Sequence, residues 1–190
     1  MERTLTVTST IEKTAVFSND KKKRYELTMK LQSKKEKSIL VLCLNPASDN
    51  LQIVDMTTNY LMNNLFEKGY TTITICNLYA TICQKLSISG IDDNSDNLDY
   101  IHDVTGRDFH TILIGYGNTF ANNKRVEEEK QKIDEIFKAH EKKVVELVDD
   151  DEIYSRLKNI HPLFAGQRFS GKWKFRKHIF ELKKAEGGEK

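Results

Sequence analysis

The chain has 190 residues, of which 38% are hydrophobic, 31% charged and 9% aromatic, with a formal net charge of +2. That length supports one domain with a real core, and that apolar content argues against wholesale disorder. A nearly balanced charge gives no ground for a general polyanion binder, and no apolar run reaches membrane-spanning length. Three cysteines, Cys43, Cys76 and Cys83, are too few for a disulfide framework. They also fall one short of a cubane iron–sulfur set and form no CxxC pair for zinc. With no signal-type apolar core after Met1, the expectation is a soluble, cytoplasmic, single domain over residues 1–190 that uses no metal and no cofactor.

In chain order, Ala15-Val16-Phe17 and the alternating Tyr25, Leu27, Met29 and Leu31 flank the polar Ser18-Asn19-Asp20, which predicts an N-terminal β-hairpin. Continuous apolar runs at 39–44, 73–76 and 111–114 predict strands buried on both faces, and a fourth strand is predicted at 144–148. Helices are predicted between them: 57–68 with Tyr60, Leu61, Leu65 and Phe66 on one side, 96–104 with Leu98 and Ile101, and 125–140 with Ile133, Ile136 and Phe137. A last amphipathic helix is predicted at 174–184. Alternating strands and helices predict an α/β three-layer sandwich with a central four-stranded, mainly parallel sheet, plus the hairpin.

Ligands in open parallel sheets bind beyond the carboxyl ends of the strands. Those ends read Asn45-Pro46-Ala47-Ser48, Asn77-Leu78-Tyr79 and Gly115-Tyr116-Gly117-Asn118. Two asparagines therefore leave consecutive buried strands, and an amide carries the donor and acceptor that suit a nucleobase edge. The plainer reading is that each caps a turn or helix. The chain's two prolines, Pro46 and Pro162, each lock a loop, the second beside His161. Gly115 and Gly117 lack the third glycine of a dinucleotide fingerprint, and no Walker-type loop is present. His102, His110, His140 and His178 have no ligand-like spacing, and surface or core packing explains them better. Residues 167–176 interleave Arg168, Lys172, Lys174 and Arg176 with Phe169, Trp173 and Phe175. That pattern suits phosphates and stacked bases, or equally an amphipathic segment whose aromatics dock into the core.

Four motifs in order resemble the uracil-DNA glycosylase superfamily. Leu44-Asn45-Pro46-Ala47-Ser48 is similar to its water-activating loop, and Ile75-Cys76-Asn77-Leu78 to the strand whose Asn reads the uracil edge. Ile112-Leu113-Ile114-Gly115 resembles its buried tryptophan-glycine strand. His161-Pro162-Leu163, then Phe169-Ser170-Gly171-Lys172, resembles the loop that carries the catalytic His and the intercalating wedge. More narrowly, Arg24-Tyr25, the Leu-Asn-Pro loop with Asp55, Asn77-Leu78-Tyr79 and His161-Pro162-Leu163 resemble the uncharacterised domain-of-unknown-function family 1643, over roughly 15–164.

The departures from the glycosylase pattern point away from catalysis. The Asp that orients water in the most active glycosylases is Asn45 here, a neutral group that cannot act as a base. The Tyr that walls off thymine is Ala47, the stacking Phe has no clear counterpart, and the wedge loop is about two residues shorter, leaving Leu163 or Phe164 as the wedge. The resemblance thus implies a weak or inactive glycosylase-like protein, of a type carried on mobile genetic elements, that acts by binding. Asn45, Ala47 and Asn77 would face the base, and Asn45 and His161 would be vestiges of the catalytic set. Ser48, Leu163, Phe164, Arg168, Lys172 and Lys174 would meet a partner. The implied partner is an acidic, DNA-mimicking glycosylase-inhibitor protein or, weakly, DNA, with the chain itself a monomer. The alternative is an active nucleobase- or nucleotide-processing enzyme in which Asp55 or Asp49 supplies the carboxylate.

Overall fold

The structure is a computed structural model that describes residues 4–90, 93–151, 153–170 and 172–180. Ile11–Phe17 (β1) and Arg24–Leu31 (β2) form the predicted antiparallel hairpin, closed by the Ser18 amide on the Lys23 carbonyl at 3.0 Å. Ser38–Cys43 (β3), Thr72–Asn77 (β4), Thr111–Ile114 (β5) and Val144–Val148 (β6) follow where the apolar runs place them. The helices Met56–Glu67 (α1), Ser95–Thr105 (α2) and Lys124–Lys138 (α3) lie within two residues of expectation. Pro162–Arg168 (α4) and Lys174–Lys177 (β7) complete the strands and α-helices among the described residues.

The strands form one seven-stranded sheet in the order β1-β2-β4-β3-β5-β6-β7. The expectation is a central four-stranded, mainly parallel sheet plus the hairpin; the sheet has seven strands. The hairpin joins the sheet because β2 pairs antiparallel with β4, setting Leu27 against Ile75 and Met29 against Ile73. Strand β3 pairs in parallel with β4 and β5, and β5 with β6, whereas β1/β2, β2/β4 and β6/β7 are antiparallel. The sheet as a whole is therefore mixed.

Alternation along β3 sends its side chains to opposite faces. Leu40 and Leu42, with Ile112 and Ile114, pack against Ile101 and Val104 of α2 and Ile133 and Phe137 of α3. Ile39 and Val41, with Leu113, pack against Leu61 and Leu65 of α1, Ala165 of α4 and Trp173. Each such fully buried aliphatic side chain contributes about 1.5–3 kcal/mol.

The predicted helix at 174–184 is not formed where it begins. Residues 174–177 are an edge strand paired with β6, and 181–184 lie outside the described residues. A cationic edge strand resists further pairing, which fits the sequence Lys-Phe-Arg-Lys. No helix among the described residues is long and apolar enough to cross a membrane.

Candidate functional site

Where β3, β4 and β5 end, their loops diverge and leave a cleft of about 310 Å³. Strand β4 delivers Asn77 and the loop after β3 delivers Asn45 and Ala47. The N-terminus of α1 contributes Asp55, the N-terminus of α4 contributes His161 and Leu163, and the hairpin contributes Arg24. The sequence-predicted Asn45, Ala47, Asp55, Asn77, His161 and Leu163 thus share one wall.

Asn77 is 1% exposed, and its Nδ2 has no hydrogen-bond partner. A buried amide left unpaired costs about 1–3 kcal/mol unless something supplies an acceptor. Its backbone carbonyl is held by the Asn97 side chain at 3.1 Å, so the residue is fixed while its side-chain donor is unpaired.

His161 is the N-cap of α4, with Pro162 at the first helical position. Its Nδ1 accepts the Leu163 amide at 3.2 Å. An imidazole that accepts at Nδ1 carries its proton on Nε2 when neutral. Burial, opposed by the charge of Asp55, moves its pKa down to about 4, so the ring is neutral at ordinary pH. The loop behind it is built to fit. Gly117 has φ +76°, and a side chain there would stand 3.0 Å from His161 Cβ, while one on Gly115 would stand 3.1 Å from the Pro162 ring. The glycines that fail as a dinucleotide fingerprint therefore seat the His-Pro turn.

Arg24 is 6% exposed, donates from Nη1 to the Ser48 carbonyl at 2.9 Å, and has an unpartnered Nε. Burial lowers its pKa from the usual value, and Asp55 opposes that shift. Asp55 caps α1, accepting the Thr58 amide at 2.8 Å and the Thr58 hydroxyl at 3.0 Å. Asn45 Nδ2 is committed to the Cys83 carbonyl at 2.7 Å and the Pro46 carbonyl at 3.1 Å. Burial pushes the Cys43 thiol in this wall up to about 12, too high for a thiolate nucleophile at neutral pH. Asp49 is exposed and does not line the cleft. Among the described residues, no group of three His, Cys, Asp or Glu side chains could hold a metal ion.

The outer residues are distributed differently. Phe164 packs edge-on against Tyr154 with ring centres 5.2 Å apart and lines a separate hollow with Gly117 and Leu157, leaving Leu163 at the cleft. Ser48 lies beside the cleft, held through its carbonyl by Arg24, and Arg168 is exposed in the last turn of α4. Lys172 pairs with Glu67 at 2.8 Å, and Lys174 with Asp150. Phe169 stacks on Tyr154, Trp173 is 2% exposed, and Phe175 tilts against Tyr70. The basic–aromatic run thus places its aromatics in or against the core and matches two of its lysines to carboxylates. Arg24 is a cleft residue that sequence reasoning misses, because a single Arg opening a strand after Lys21-Lys22-Lys23 looks like one more loop cation.

A mixed sheet with helices on both faces and a cleft at the carboxyl ends of its parallel strands defines an α/β protein whose candidate site lies at the strand ends. Over residues 24–163 the chain matches the family described as "Protein of unknown function (DUF1643)", and it belongs to that family. No curated protein and no solved structure matches the chain.

Proposed function

We propose that the cleft binds a nucleobase, or a ligand with the same edge chemistry, and that the protein acts by binding and not by cleaving an N-glycosidic bond. The observation that carries this reading is the buried, unpartnered Nδ2 of Asn77, in a cleft shared with a neutral His161 whose free nitrogen is a donor. Two fixed donors suit the carbonyl oxygens of a pyrimidine such as uracil. The absence of hydrolysis follows from the loop after β3. Asn45 is neutral and spends its amide hydrogens on Cys83 and Pro46, so it cannot activate water. The likeness of the motifs to uracil-DNA glycosylases supports the same ligand and remains a proposal.

A second reading, a nucleobase- or nucleotide-processing enzyme, rests on Asp55. It is the one carboxylate lining the cleft among the described residues, but both its oxygens are engaged by Thr58. An acidic inhibitor protein would meet Leu163 as its apolar anchor and Arg168 as its exposed cation, since Lys172 and Lys174 already have partners. The test is excision from single- and double-stranded uracil-containing DNA, with an active glycosylase alongside. The expected result is no free uracil and no abasic site. Robust excision lost in Asp55→Asn would overturn the binding reading in favour of the enzyme.

A further inference from the structure

A second cleft, of about 400 Å³, opens between α3, the loop after β5 and the chain that leaves β7, and it shares no lining residue with the first. Two ionisable groups of little exposure line it, Asp134 of α3 at 8% and His178 just beyond β7 at 5%, and a third, Glu146 of β6 at 3%, stands next to His178. His178 Nε2 lies 3.4 Å from Asp134 Oδ1, and its Nδ1 lies 3.9 Å from Glu146 Oε1. Neither contact is a hydrogen bond, so both ring nitrogens and Asp134 Oδ1 are buried without one, as is Asn159 Oδ1 in the same cleft. Native proteins seldom leave such groups unpaired, and a cluster of them lining one cleft points to a missing partner.

The charges identify that partner. Lys130 is matched by Glu127 at 2.7 Å, and Glu146 by Arg176 at 3.3 Å and by the Asn159 amide at 2.6 Å. Lys158 also lines the cleft and is already engaged. Lys138 faces His178 only across the Phe180 ring, which stands edge-on to the imidazole. Asp134 is left with His178 alone. The unpartnered oxygens, Asp134 Oδ1 and Asn159 Oδ1, are both acceptors, and Asp134 brings the negative charge. We propose that this cleft is a second binding site, for a small organic cation that carries N–H donors, an alkylammonium or alkylguanidinium, with Asp134 as its counter-ion.

The test is an NMR titration of the full chain with ethylguanidinium, butylammonium and tetramethylammonium, read at the His178 imidazole and the Asn159 side-chain amide. The first two probes should bind saturably. Tetramethylammonium, which has the charge without the donors, should not bind. Asp134→Asn should weaken binding about tenfold or more, and His178→Gln should keep it. No binding of the first two probes, or equal binding of tetramethylammonium, would each overturn the proposal. The comparison of probes uses the unaltered chain and holds even if a variant fails to fold.

Discussion

At the scale of single residues, His161 does two jobs with one ring. Nδ1 closes the first turn of α4, and Nε2 is left as a donor in the cleft. Protonation would add a hydrogen at Nδ1 and break the cap, so structure and charge state are linked. The folded pKa of about 4 lies below the ordinary imidazole value of 6.5. The unfolded chain therefore binds more protons between these values, and stability falls as pH drops through that window. Above it the contribution is fully present. Denaturant midpoints measured from neutral pH down to acid should show this loss in the unaltered protein and a smaller one in His161→Asn, whose side-chain oxygen can also cap. Equal pH profiles for the two proteins would contradict the assignment.

At the scale of elements, α1 and α4 set the width of the cleft, since Asp55 begins one and His161 the other. They meet at Gly166, where an added Cβ would stand 2.2 Å from the Tyr60 ring. Gly166→Ala must force the helices apart. The expected cost is about 1–3 kcal/mol, with weakened ligand binding because His161 and Leu163 move with α4. Thermal melts check the first effect, and adding Tyr60→Ala should restore part of the loss. Additive losses in the double variant would show that the contact is not the cause.

The legibility of these elements follows from their chemistry. Strands β3 to β6 are largely buried on both faces and show as short runs rich in apolar residues, and α1 and α3 show helical spacing with Asp55 and Asn123 as side-chain caps. Helix α4 was not legible because seven residues give less than two turns of periodicity, and only Pro162 and Ala165 are buried. Strand β7 read as helix because its aromatics and cations fit a helical face as well as a four-residue edge. Asn77, Asn45 and His161 could be placed at one crevice because strand order fixes where strand ends go. What their atoms do there could not be, since an Asn tied to Cys83 and an Asn with an open amide look identical in sequence.

At the scale of the whole molecule, charge decides which partners are plausible. A net charge of +2, with Lys172 and Lys174 paired to carboxylates, leaves little unmatched positive field on the C-terminal segment. DNA binding should therefore be weak, and Lys172→Ala with Lys174→Ala should change its log–log salt slope by much less than the roughly one unit per lysine that two phosphate contacts would give. A slope reduced by about two units would show that the ion pairs open to meet DNA.

The central claim is that Asn77 and His161 present open donors to a base. The most direct measurement is a titration of isotope-labelled protein with free uracil, read at the Asn77 side-chain amide and the His161 Nε2–H. The account predicts saturable shifts of both resonances, lost in Asn77→Ala, while that variant's stability stays within about 1 kcal/mol because an unpaired buried donor has been removed with the side chain. Resonances that stay fixed at saturating uracil, or identical shifts in Asn77→Ala, would contradict it.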